Sequence, residues 1–242
     1  RSLVKLTHRI SGITWGNEAY AVVSDRWWNT RNTKTYLINP SDNSQAPRVL
    51  ADRNYQDLYS HPGIFQTKKN KLGQYTLLLD GHTAYLFGEG YTAEGQFPFI
   101  DELDLRTLEK RRIYQSTATD QVEDLVSFID SRQGTLITRL ESPTEYPNYY
   151  IRNLRKRIAD IPLTSFENPF KSIEGVHKEV ITYQREDGVE LTGTLYLPVG
   201  YDMQKKEKLP MIMWAYPKEY KDRKSAGQSS SNPNAFTYLS YG

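Results

Sequence analysis

The first residue in this 242-residue chain whose type and place suggest chemistry is Tyr216, which ends an apolar run, 211–216. A phenol at the C-terminal end of a buried strand can donate a hydrogen bond to an oxygen on which negative charge develops, which is the work of an oxyanion hole. Losing one such donor raises a barrier by about 3–4 kcal/mol. A tyrosine in that place can also pack against a strand end with no chemical role, and spacing alone leaves both readings open. Just beyond it, Lys218, Lys221, Arg223 and Lys224 form a basic cluster. It could grip a carboxylate, Arg best by its bidentate fork, or it could be a solvated charged loop.

A nucleophile would be sought in G-x-S-x-G, with Asp or Glu and then His following in the chain. The nearest approach, Gly227-Gln228-Ser229-Ser230-Ser231, lacks the second glycine and sits in a low-complexity polar loop. No histidine follows His177, so a serine there has no base in that order, and the chain alone is expected to be inactive. The chain has no cysteine, which excludes a disulfide framework and a thiolate nucleophile. His8, His61, His82 and His177 show no metal-ligand spacing, and neither metal nor cofactor is expected. Gly88-Glu89-Gly90 resembles half of a phosphate loop, but no helix and no Lys-Ser/Thr follow, so a turn is expected. Trp27-Trp28 is either a recognition surface or packing beside a strand.

The elements that would position Tyr216 begin at about residue 177. Two alternating segments, 179–183 and 190–197, flank Glu186-Asp187-Gly188 and predict a hairpin. After a charged loop, the unbroken apolar run 211–216 predicts a strand buried on both faces, as in a sheet covered by helices.

Upstream, eighteen tyrosines and four tryptophans favour strands. Three groups of four strands are expected: 13–15, 19–24, 34–38 and 48–51; then 63–66, 75–79, 99–104 and 110–115, with an insertion between Asp80 and Pro98; then 125–129, 135–140, 148–153 and 157–161. The third strand of each group ends in a polar corner, at Asn39, Asp104 and Asn153. The last two corners lie at about a propeller-blade period. Recurring four-strand units are what propeller blades look like, and an irregular antiparallel sandwich is the alternative. Three blades cannot close a ring of about 4–8, so an open arc is expected. Net charge is +2 and near neutral on either side of residue 176, which argues against a nucleic-acid partner. No run of about 18 apolar residues predicts a membrane span. The chain opens at Arg1 without a signal peptide, and it is expected to be an excised or processed piece.

The segment KEVITYQREDGVELTGTLYLPVGYD…KLPMIMWAYP resembles the opening of the catalytic domain in the prolyl oligopeptidase family of serine peptidases. GEGYTAEGQFPFIDELDLRTLEKRRIYQS, ESPTEYPNYYIRNL and WAYPKEYKDRKSAGQSSSNPNAF are similar to its glutamyl endopeptidase branch, found in chloroplasts and bacteria. The likeness runs from about residue 10 to the end. It implies a mainly β fold: C-terminal propeller blades over 1–165, a linker over 166–176, and the first strands of an α/β-hydrolase domain over 177–242. It implies cleavage of peptides after Glu by Ser-His-Asp acyl-enzyme chemistry, with the propeller restricting substrate size. Of the family's catalytic groups only the oxyanion-hole tyrosine falls on this chain, at Tyr216; the triad would lie beyond Gly242. Where many relatives have Gly-Gly after that tyrosine, this chain has Pro217-Lys218, similar to the glutamyl branch. The implied compartment is the chloroplast stroma or, the preferred option, the bacterial periplasm or exterior.

The implied partner is a peptide substrate, with no nucleic acid and no membrane. The fold would be completed by the rest of the same polypeptide or by another chain, because a sheet begun at 211–216 leaves edges and apolar faces open. A non-enzymatic propeller module that binds a peptide, and a hydrolase of esters, are the competing readings.

Overall fold

The computed structural model describes residues 2–156, 158–216, 218–229 and 231–237. Strands β1 (Arg9–Trp15), β2 (Ala21–Trp27), β3 (Asn32–Ile38) and β4 (Arg48–Asn54) form an antiparallel meander, sheet one, hydrogen-bonded in that order. Its turns are written by side chains that stand in for backbone partners: Asn17 Oδ1 accepts from the Ala19 and Tyr20 amides, and Asn39 Oδ1 from those of Ser41 and Asp42. The two-residue period sends Val22 and Leu37 to one face and Ala21, Val23, Tyr36 and Ile38 to the other. Both faces are covered. The first packs on Ala84, Leu86 and Leu103 of the next sheet and on Leu77, which precedes them in the chain, the second under Leu3, Val4 and Leu6. Buried Asp25 fastens that N-terminal cover by accepting from the Thr7 and His8 amides at 3.1 and 2.9 Å.

The next stretch holds β5 (Ile64–Phe65), β6 (Thr67–Lys69), β7 (Tyr75–Leu77), β8 (Leu79–Asp80), β9 (Thr83–Gly88), β10 (Phe99–Asp104) and β11 (Lys110–Gln115). Sheet two has the order β11-β10-β9-β5, with β8 also pairing β9. This corrects the expected second group. Its central strand is β9, inside the supposed insertion, while β7 leaves the sheet to form a small hairpin with β6. Thr-Ala-Tyr-Leu-Phe-Gly escapes an alternation test because Ala84 and Leu86 face sheet one while Phe87 faces sheet three, so neither face is polar.

Sheet three is a second clean meander, β12 (Val122–Asp130), β13 (Thr135–Glu141), β14 (Asn148–Asn153) and β15 (Ile161–Pro162). The strand expected at 157–161 contracts to β15, and Arg157 lies outside the described residues. Buried Leu136 meets Phe87 and Ile100 of sheet two, and Phe128 stands edge-on to both Tyr85 and Phe87 at 5.0 Å. Each sheet thus packs on the next in chain order through interdigitated apolar side chains. Residues 163–176 carry only a 3₁₀ turn, Lys171–Ile173.

The hairpin forms as expected: β16 (His177–Gln184) pairs with β17 (Glu190–Leu197) in unbroken register from His177↔Leu197 to Gln184↔Glu190. Gly188 supplies the φ of 79° its turn requires. The buried strand expected at 211–216 does not form. Those residues are coil, and Met211, Ile212, Met213, Trp214 and Tyr216 are 77–97% exposed. A strand buried on both faces needs ladder partners at its edges and covers on its faces, and the described residues offer this run neither.

Candidate functional site

Tyr216 lies in a broad, open cleft of about 1310 Å³. Tyr183, Leu191 and Tyr196 of the hairpin form one wall, and Trp214, Lys218 and Arg223 are on the other. Among the described residues its hydroxyl has no hydrogen-bond partner, so the O–H is available to a ligand. Pro217, which follows it, lies outside the described residues.

The basic cluster divides into two. Lys221 is paired to Glu219, and Lys224 Nζ sits 3.3 Å from Asp57 Oδ2. Lys218 and Arg223 have no hydrogen bond or ion pair from their side chains among the described residues, and both line the cleft. A carboxylate entering there would meet two cations without an ion pair, of which Arg223 also acts on the Asp187 carboxylate that lines the same cleft.

What seats this wall is a polar segment, residues 219–229, bound to the loop after β4. Arg31, in the turn between β2 and β3, is fully buried, with Trp28 stacked on its guanidinium at 3.7 Å. It reaches the Glu219 carboxylate at 3.4 Å and the Glu219 carbonyl at 3.5 Å. The Gln56 side chain bridges two residues of the segment: its Nε2 donates to the Glu219 carbonyl at 2.6 Å and its Oε1 accepts from the Lys221 amide at 3.3 Å. Gln228 returns the grip, accepting from the Leu58 amide at 2.7 Å and donating to Asp57 Oδ1 at 2.6 Å. Between these, Asp222 caps the short helix α1 (Arg223–Ala226) through the Ser225 amide at 2.7 Å and takes a bond from Asn54 at 2.6 Å. Burial raises the Asp57 carboxyl, but the bonds from Gln228, Lys224 and Ser60 outweigh it and hold the group below its ordinary value. Glu219 is held low by Lys221 first and by Arg31 less.

Beyond α1 the chain crosses the other two sheets. Asn232 donates to Gln96 of the loop between β9 and β10 at 3.0 Å, and Asn234 to the Thr119 carbonyl at 2.7 Å. The Phe236 amide then donates to buried Glu141 at 2.6 Å, and the Phe236 ring packs edge-on to Tyr146 at 5.3 Å.

The other residues singled out by sequence do not gather here. His8 stacks on Trp27, His82 Nδ1 is bonded to the Tyr20 hydroxyl at 2.7 Å, and exposed His177 pairs with Glu179. His61 Nδ1 accepts from the Gly63 amide, and burial, aided by Arg53, pushes its pKa down. Among the described residues no group of three His, Asp or Glu is arranged to hold a metal. Gly88 lies against the Phe99 ring and Gly90 (φ 68°) against the Phe97 carbonyl, so this pair serves close approach and a turn. Trp28 is the lid of Arg31. The Ser229 amide donates to the Tyr59 hydroxyl at 3.0 Å while its own hydroxyl donates to the Ser231 carbonyl; Ser230 lies outside the described residues. Sequence reasoning missed Arg31, Gln56 and Glu219, because an Arg in a turn and a Gln in a loop read as solvated. The spacing Trp28-x-x-Arg31 was the one available signal.

The chain is similar to two plant proteins over nearly its whole length. It is 38% identical over 247 residues, 97% of the chain, to a "Probable glutamyl endopeptidase, chloroplastic" of Oryza sativa subsp. japonica. It is 37% identical over 248 residues to the protein of the same description in Arabidopsis thaliana. The chain spans 26% of each relative's length. No family model matches it. Among solved structures, AtxE2 isopeptidase aligns over 86–87% of this chain and 41% of its own, at a TM-score of 0.32 and 12–13% identity. A fungal GH62 α-L-arabinofuranosidase domain from Coprinopsis cinerea aligns at a TM-score of 0.27 and 11% identity, over 81% of this chain. Likeness at that level does not define a fold. Both plant relatives are described as chloroplastic, and nothing in these comparisons favours the bacterial option. Among the described residues no helix is long and apolar enough to cross a membrane.

Proposed function

We propose that this chain is one part of a longer glutamyl endopeptidase of the serine type. The identity of 38% across 97% of the chain to a plant protein of that description carries this reading. In it, the three packed antiparallel sheets are successive propeller blades, and the chain from 177 on opens an α/β-hydrolase domain. The run 211–216 becomes a strand when the remainder of that domain supplies its neighbours, so its exposed apolar side chains mark the junction to be completed. Tyr216 then stands at the strand's C-terminal end, where its O–H is donated to the oxyanion of a tetrahedral intermediate formed on a peptide carbonyl. The attacking serine, its histidine and its aspartate belong to the remainder. Lys218 and Arg223, the cleft cations without an ion pair among the described residues, supply positive charge toward an entering acidic side chain. By the names of its relatives, the compartment is the chloroplast.

The test is made on the full-length protein that carries this sequence, with peptide substrates identical except for Glu or Gln before the scissile bond. Cleavage after Glu, blocked by a fluorophosphonate that labels one serine, is the expected result. Tyr216→Phe should lower kcat by about 10²–10³ with little change in KM. No peptidase activity, or an unchanged kcat in Tyr216→Phe, refutes the corresponding part of the reading.

A further inference from the structure

We propose that Gln56 and Arg31, which belong to sheet one and its following loop, are positioning residues for Tyr216. The proposal rests on the oxyanion reading of Tyr216 and adds the device that fixes where the phenol stands.

The argument begins with the Arg31 backbone. Arg31 has φ of 58°, in a region that a residue with a Cβ rarely occupies and then at a cost. That conformation turns the guanidinium inward, under Trp28, where it is wholly removed from water. The Arg31 carbonyl is held there by the Tyr55 amide at 2.8 Å, next to Gln56. A charge with no solvent must face a counter-charge, and among the described residues the carboxylate it meets is Glu219. Its remaining bonds go to the carbonyls of Glu219 and Trp28. Glu219 itself is 59% exposed, so its burial does not hold it; the guanidinium and the Lys221 ammonium do.

Gln56 adds direction to that anchor. By donating to the carbonyl of residue 219 and accepting from the amide of residue 221, its carboxamide bridges the two backbone groups that flank residue 220. Such a pair fixes the height and the tilt of the chain, where a single ion pair would fix only a point. Two residues separate Glu219 from Tyr216, and the anchor is the first described contact between the segment that follows Tyr216 and the sheets. The preceding residues, 211–216, make no strand here. Once the remainder of the domain pairs that run, the strand holds the phenol from its N-terminal side and this clamp holds it from its C-terminal side. An oxyanion donor must stand about 2.7–3.1 Å from its target, and a displacement of about 1 Å can cost on the order of a hundredfold in rate.

The experiment is a double-mutant cycle in the full-length protein, Gln56→Ala with Tyr216→Phe. Gln56→Ala should lower kcat by about tenfold with KM within about twofold, and in the Tyr216→Phe background its further effect should be under about twofold. Arg31→Lys should act in the same direction; should it fail to fold, the Gln56 arm decides alone. Glu219→Gln keeps the backbone grip and should lose less than Gln56→Ala. Full additivity of Gln56→Ala and Tyr216→Phe, or a normal kcat in Gln56→Ala, overturns the positioning role while leaving the oxyanion role intact. A normal kcat in Tyr216→Phe alone instead overturns the oxyanion reading, and the positioning role with it.

Discussion

Replacing Arg152 by Met asks whether the boundary between sheets two and three depends on a buried charge. Tyr114 of β11 donates to Glu123 of β12 at 2.7 Å, and Arg152 of β14 donates to the Tyr114 hydroxyl at 2.6 Å and to the Glu123 carboxylate. The other side of the guanidinium fork goes to Asp160 at 2.6 and 3.0 Å. Burial first, and Glu123 second, push the Tyr114 phenol above its ordinary range, so it stays a donor. The exposures decide the magnitude: 3% for the Glu123 side chain and 19% for that of Arg152. Breaking an exposed pair costs about 0–1 kcal/mol, whereas stranding a buried carboxylate costs about 3–5 kcal/mol. The second figure applies, since Arg152→Met leaves Glu123 charged with one hydroxyl donor. In a chain of this size that loss lowers the melting temperature by about 6–20 °C. Thermal and urea unfolding at pH 7, followed by near-ultraviolet circular dichroism, measures it. Adding Glu123→Gln to Arg152→Met removes the stranded charge and should recover more than half of the loss. A loss below about 1 kcal/mol, or no recovery in the double variant, refutes the reasoning.

Gly88→Ala would place a methyl carbon 2.1 Å from the ring of Phe99, which the Arg112 guanidinium already covers at 3.8 Å. It should cost about 1–3 kcal/mol, and Phe99→Leu in the same chain should relieve part of it; a change under about 0.5 kcal/mol by urea titration would dispose of the steric argument. His61, lowered from 6.5 by burial and then by Arg53, stays neutral when folded while the unfolded chain takes up a proton. Its contribution is therefore complete above about pH 6.5 and declines as pH falls from there toward the folded value. Urea titrations between pH 7.5 and 5 should show a shallower decline in His61→Asn than in the parent, and equal slopes would exclude the site.

The sequence declares structure best where local chemistry decides it. Asn17, Asn39 and the Asp187-Gly188 pair are turn residues whose side chains or φ angles do the turning, and the first meander and the hairpin were readable from them. β9 was hidden because both its faces are buried, and alternation is a signal of half-buried strands only. The run 211–216 was read as a buried strand and is exposed coil here, because a strand needs a neighbour to pair with and none is among the residues described. The site was less legible than the fold. Tyr216 could be named from its place after the apolar run. Arg31, Gln56 and Gln228 could not, since a polar side chain in a loop acquires a role only through the distant backbone it meets.

The bonds that the 219–237 segment makes to the three packed sheets and their loops join residues 95 to 188 apart in sequence. The strand pairs within each meander join near neighbours along the chain. Near neighbours meet early and at low entropic cost, while closures this long wait until the sheets exist to receive them. During synthesis the three sheets can therefore assemble before residue 219 is made, and the segment closes over a finished surface. Contacts formed that late are absent from the folding transition state, so loosening them at Gln228 or Asn234 hastens unfolding and leaves the rate of folding untouched. In this chain the residues that seat the candidate site govern how long the folded state lasts rather than how quickly it is reached.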